Sequence, residues 1–374
     1  MKRILALIKK EFLQLRRDPR LIGFIIMAPV VMTILFGLAL KLEPENVPMA
    51  YVDEDQSIFS NLIKTGIWTE GYFRMYPVKD KESIVRDIRT GKAFAGLYIA
   101  KDFSDKLSEN EQPLVQMYVD GTMPSLTTAM DNNSGVITSK AVTNDMYFLD
   151  PDATNVVVAD DPFVLDVEVL FNPDKKEAWF FLPGVIGVLI MQIALILTSL
   201  AVVREKEGHT LEQLVVTPIR KDEFILGKTL PYVAIALLDF YFILAIGWLL
   251  FGLPLPNSQL LLLLLAAIYV AGLISMGLAI STVSQTTQQA IFLSIFILIP
   301  SVLLSGFIFP LEAMPIYIRP IAYILPFTYF IEIIRGLLLK GNDFATLLPD
   351  YTALFGFAAF FVLISYWRFK KSLT

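Results

Sequence analysis

The chain has no cysteine and a single histidine, His209. The first absence excludes disulfides, zinc–thiolate centres and thiol catalysis. The second excludes a multi-histidine metal site, and any serine triad would have to use His209. Charge is also scarce: Asp, Glu, Lys and Arg supply 18% of 374 residues, where a typical soluble chain has roughly 25%. The balance is acidic, at −5, whereas a nucleic-acid binder shows a basic face. A phosphate-cradling loop is missing too. Gly227-Lys228-Thr229 looks like the end of one, but Asp222 stands where its first glycine belongs. The chain is therefore not expected to bind ATP or any other cofactor itself.

What it has in excess is apolar residues, 55% of the total, concentrated in long runs. A bilayer core needs about 20 mostly apolar residues in a helix. Residues 21–40, LIGFIIMAPVVMTILFGLAL, form an uncharged run too long for a signal-peptide core and with no cleavage site after it. Four more runs lie at about 179–203, 224–251, 259–283 and 290–309, and a last one at about 346–367. The expected fold class is a polytopic α-helical membrane protein of six transmembrane helices. Lys and Arg cluster in the first twenty residues, in the 204–221 connection and after residue 367. By the positive-inside rule these flanks are cytoplasmic, which puts both termini inside.

Residues 41–178 are then extracytoplasmic, between spans one and two. Their pattern is that of an α/β domain. VPMAYV (47–52), AGLYI (95–99), LVQMYV (114–119) and FVLDVEVLF (163–171) read as strands. Helical patterns end near Lys64 and cover 83–90, and 123–149 has room for one long helix. Asp53, Glu54 and Asp55 lack the spacing of a calcium loop, so they read as a strand-end turn capping the next helix.

On the cytoplasmic side, residues 1–20 form a basic amphipathic segment, either a plain charged anchor or an elbow helix packed on a partner. After span two comes REKEGHTLEQLVVTP (204–218). Gly208 breaks the outgoing helix, Thr210 can cap a new short one, and Leu211 and Leu214 give that helix an apolar edge. Pro218 closes it. Asp239 falls mid-way along span three, where an ionisable group is a path or proton-site candidate, unless it is simply protonated or paired with a polar neighbour such as Gln192. Gln192, Gln285, Gln288 and Gln289 read as helix-contact glue. Glu332 and Arg335 are spaced to pair on an outer helix.

REKEGHTLEQLVVTPI resembles the coupling segment of type-2 ABC exporter permeases of the bacterial large-periplasmic-loop kind. FNPDKKEAWFFLPGVIG, Ser305-Gly306-Phe307-Ile308-Phe309-Pro310 with Met314-Pro315, Pro326-Phe327-Thr328-Tyr329, and Glu332 to Arg335-Gly336 resemble further family motifs in the same order. The family usually has Arg-Gly-Thr or similar where this chain has Gly208-His209-Thr210, so His209 inherits no role. The resemblance implies a permease subunit in a bacterial inner membrane, paired with a second copy or a paralogue. Cognate ATPase subunits would hold ATP and magnesium. They would dock on a coupling helix within 204–218, with Arg204, Glu205, Glu207, Gly208, Thr210, Leu211, Glu212, Leu214 and Pro218 as the coupling residues. Residues 310–345, with Pro310, Glu332 and Arg335, would form outer re-entrant short helices in the 179–367 membrane region, and 368–374 a cytoplasmic tail. The cargo would be a drug, a lipid or a similar molecule, and a periplasmic adaptor could meet the outer domain. The alternatives are a membrane-anchored sensor, which leaves the clustered spans unexplained, and a membrane lipid enzyme, for which no nucleophile–base pair is evident.

Overall fold

The computed structural model describes residues 5, 6, 8–10, 13, 47–69, 73–109, 111–123, 163–208, 221–308, 311 and 319–372. The expected first span (21–40), the 123–149 helix, the segment Thr210–Pro218 and Pro310 lie outside these residues, Met123 excepted. The chain divides into two compact units: one of residues 40–180 with 310–315, the other of 1–39, 181–309 and 316–374.

The first unit is built on a five-stranded sheet in the order β2-β1-β3-β4-β5: β1 Val47–Asp53, β2 Phe73–Pro77, β3 Ala95–Ile99, β4 Leu114–Asp120 and β5 Val164–Leu170. β1 is parallel to β2 and β3, β3 antiparallel to β4, and β4 parallel to β5. Parallel neighbours need helical crossovers. Helices α1 (Ile58–Thr69) and α2 (Lys81–Arg89) lie in the connections from β1 to β2 and from β2 to β3, the β4–β5 connection lies outside the described residues, and α3 (Phe103–Ser108) follows β3. Alternation along the strands puts Ala50, Val52 and Tyr118 on one face, where they pack with Ile84 and Ile88 of α2. Asp80 caps α2 by accepting the Ser83 N–H at 2.8 Å. At the exit of β5, buried Asn172 donates to the carbonyls of Gly121 (2.7 Å) and Lys176 (3.1 Å) and accepts the Lys176 N–H. The Asn of the Asn-Pro motif thus ties the end of the sheet to the start of the next helix.

The acidic turn after β1 is a set of caps. Asp53 accepts from Lys64 (2.7 Å), Ser60 (2.8 Å) and the Gln56 N–H (2.9 Å). Asp55 accepts from the N–H and hydroxyl of Ser104. Burial pushes the Asp53 carboxyl up, but the hydrogen bonds from Lys64, Gln56 and Ser60 and the Lys64 charge outweigh it and hold it below the ordinary carboxylate range. A carboxyl depressed on folding contributes stability above its unfolded pKa, about 3.9, and that contribution is lost as pH falls through the folded value. The Asp53 contribution should therefore be constant from neutral pH to about 5 and fade below about 4. Asp53→Asn should flatten that acid limb. Hydrogen exchange of β1 and α1 peptides in the whole chain, corrected for intrinsic rates, checks it; an unchanged limb in Asp53→Asn contradicts it.

In the second unit, five helices among the described residues are long and apolar enough to cross a membrane: Glu177–Glu207, Ile225–Phe251, Gln259–Val283, Thr287–Leu304 and Phe344–Arg368. They belong to α4 (Glu177–Glu207), α5 (Lys221–Phe251), α6 (Gln259–Val283), α7 (Thr287–Leu304) and α10 (Phe344–Ser372). The short α8 (Arg319–Ala322) and the amphipathic α9 (Pro326–Leu338) lie between α7 and α10. α7 stops sooner than the apolar run 290–309 suggests. Ser305 ends it and Gly306 turns at φ +84°, a left-handed conformation that glycine adopts freely.

Candidate functional site

The 204–218 motif begins inside α4. Arg204, Glu205, Lys206 and Glu207 are its last turn, and Gly208 still bonds its N–H to the Arg204 carbonyl at 3.0 Å. Three consecutive side chains point to three different neighbours. Glu205 is buried, and its Oε1 accepts from Lys228 Nζ of α5 at 2.8 Å and from Lys10 Nζ at 3.0 Å. Lys206 Nζ donates to the carbonyls of Ser281 (2.6 Å), Thr282 (3.2 Å) and Ser284 (3.3 Å). These sit at the C-terminal end of α6, where helix carbonyls lack intrahelical partners and a cation is favoured. Glu207 accepts the Thr287 N–H at 2.7 Å and the Thr287 hydroxyl, at the N-terminal end of α7, where N–H groups are free and an anion is favoured.

The α6–α7 turn is thus closed from outside as well as from within. Thr286 caps α7 by accepting the Gln289 N–H at 3.2 Å, and Gln289 reaches back to the Gln285 N–H at 2.9 Å. Gln289 was expected as glue between helices; it caps its own helix. Arg204 and Gly208 are exposed. Thr210, Leu211, Glu212, Leu214 and Pro218 lie outside the described residues.

At the opposite end of these helices three sequence motifs converge. Arg335 of α9 donates from Nη1 to the Gly306 carbonyl and from Nη2 to the Phe307 carbonyl, both at 3.0 Å. Phe307 is 1% exposed and packs edge-on against Phe181 and Phe327. A Cβ placed on Gly184 would stand 2.0 Å from the Phe307 ring, so only glycine allows this approach. By spacing, Arg335 and Glu332 could pair with each other or hold the short helices in place. Glu332 is exposed, and the Arg335 guanidinium holds the turn that follows α7.

A family model described as ABC-2 family transporter protein matches residues 19–367. The chain belongs to that family. The permease is similar to the probable multidrug ABC transporter permease YbhR of Escherichia coli (strain K12), 29% identical over 340 residues, 90% of each chain. The companion protein YbhS of the same strain, with the same description, is 26% identical over 380 residues, covering 100% of this chain and 98% of the relative. ABC transporter G family member 20 of Dictyostelium discoideum is 25% identical over 338 residues, which cover 90% of this chain but 46% of that longer protein. The chain is thus a multi-pass membrane permease of an ABC exporter, and the family implies ATPase subunits as partners.

Two residues singled out by sequence have clear positions in the permease. Asp239 of α5 is 5% exposed, and its Oδ2 has no hydrogen-bond partner among the described residues; Gln192 does not bond it. Lys228, at the end of the false nucleotide motif, is 2% exposed and holds Glu205. Its role is an ion pair inside the membrane unit.

Proposed function

We propose that the permease, with a second copy or a paralogue, forms an export path across a bacterial inner membrane. Both termini and the 204–218 segment face the cytoplasm, and the α/β unit lies outside. Residues 21–40 complete six spans, following the Lys/Arg distribution of the sequence. Separate ATPase subunits bind ATP and magnesium and dock on the helix read at 210–217, using the apolar edge of Leu211 and Leu214 and the polar Thr210 and Glu212. The observation that carries this reading is the root of that segment: the three residues before Gly208 are each bonded to a different part of the membrane unit. A push on the segment is therefore delivered into the helices rather than absorbed by a loose loop. The cargo class follows from the relatives' names, which say multidrug, and from apolar spans: an amphipathic drug or lipid-like molecule. A periplasmic adaptor on the α/β unit is part of the same reading. Asp239 stands as a path or proton site, and Pro310 and Glu332 belong to the outer short helices.

The test is co-purification. The wild-type permease, solubilised from a host carrying its genomic neighbours, should bring down an ATPase subunit in near-stoichiometric amount. Leu211→Asp, a charge on the docking edge, should reduce recovery at least tenfold without altering the permease's own elution. Recovery of no ATPase with the folded wild type would sink the reading.

A further inference from the structure

We propose that Lys206 and Glu207 are positioning residues that splint the end of α4 to the α6–α7 turn, so that the drive segment moves three helices as one block. The inference rests on the permease reading above and adds what the relevant side chains do. Without these two residues the described polar contact of α4 with α7 near this end would be the long Ser199–Ser294 hydroxyl contact (3.4 Å), and packed helices slide past one another by small shear steps. With them, the contact is charged and directional. One ammonium binds three carbonyls that end α6, and one carboxylate binds the N–H and hydroxyl that begin α7. The two bonds oppose each other in sign and lie on adjacent residues, so neither rotation nor sliding of α4 keeps both. The turn is itself rigid, because Thr286, Gln289 and Ser284 cap it internally. Glu205 adds α5 through Lys228. The splint sits immediately before Gly208, where α4 ends.

The experiment uses the permease–ATPase complex in nanodiscs. The native chain has no cysteine, so Gln285→Cys gives one labelling site, on the turn. A spin label there reports the turn's surroundings before and after trapping the ATPase with ATP and vanadate. In the otherwise wild-type permease the spectrum should change on trapping. Compared at equal amounts of bound ATPase, Lys206→Met and Glu207→Ala should lose most of that change, whereas Lys206→Arg, which keeps the donors, should retain it. Glu207 is exposed, so Glu207→Ala tests the idea even where Lys206→Met folds poorly. A wild-type-sized response in Glu207→Ala, with ATPase bound, overturns the splint and leaves the permease reading intact. Absence of any ATPase in the wild-type sample overturns the permease reading instead.

Discussion

Glu205→Ala is expected to be among the most destabilising single substitutions in the membrane unit. Lys228 is 2% exposed and lies 2.8 Å from the Glu205 carboxylate. Removing the acid takes the 2.8 Å carboxylate from a buried ammonium, and breaking a buried pair typically costs about 3–5 kcal/mol. Both residues make further interactions, so the low end of that range applies. Lys10 shares the same oxygen but is 43% exposed; losing it should cost no more than about 1 kcal/mol. The informative comparison is the double replacement Glu205→Leu with Lys228→Met. It removes both charges and keeps apolar volume, and such swaps are often neutral. Thermal unfolding of the purified permease should rank Glu205→Ala several degrees below the wild type. Lys10→Ala and the double variant should lie close to the wild type. Should Glu205→Ala melt with the wild type, the buried pair is not what holds α4 against α5.

That pair shows where sequence reading reaches and where it stops. The membrane helices were legible because a soluble core seldom calls for an uncharged helix of bilayer length, whereas a lipid core demands one. β4 and β5 were legible because their residues alternate, and β1 and β3 because they are short apolar runs. β2 was missed: FRMYP is short, carries an arginine and ends in proline, and it survives as an edge strand with a single neighbour, β1. α3, FSDKLS, is too short to show a helical period. The 204–218 motif was legible as a string, but the chemistry of its first residues was invisible. Lys206 finds its acceptor 75 residues away and Glu207 its donor 80 away. No local pattern encodes such pairings. They follow from which helix ends the fold brings together, and orphan helix-terminal groups then select the side chains. The same reason turned Glu332 and Arg335, a plausible local pair by spacing, into two residues with separate surroundings. Arg335 holds the Gly306 and Phe307 carbonyls at the turn after α7, while the Glu332 carboxylate, one turn away, faces solvent.

The approach of Gly184 to Phe307 gives the second large effect, and here two tendencies oppose each other. Gly184→Ala should favour the α4 helix by about 1 kcal/mol on propensity alone. The added methyl, however, would lie 2.0 Å from Cδ2 and 2.1 Å from Cε2 of the Phe307 ring. Relief would require the whole ring to move, not the end of a flexible chain. The ring is held between Phe181 and Phe327, and its backbone carbonyl is held by Arg335. Overpacking a core of this kind costs about 1–3 kcal/mol, and the immobile ring puts Gly184→Ala at the upper end. The clash should win: Gly184→Ala is expected to lower the melting temperature and the yield of monodisperse permease. Phe307→Ala alone should also destabilise, by about 3–5 kcal/mol, because it opens a cavity among buried aromatics. Combined, the two should cost less than their sum by at least about 1 kcal/mol, since the alanine methyl then enters space the ring has vacated. Strict additivity would mean that Gly184 and Phe307 do not touch. Coupling of that size would establish that Pro183-Gly184 and Ser305-Gly306-Phe307, far apart in the chain, are two halves of one packing feature locked by Arg335.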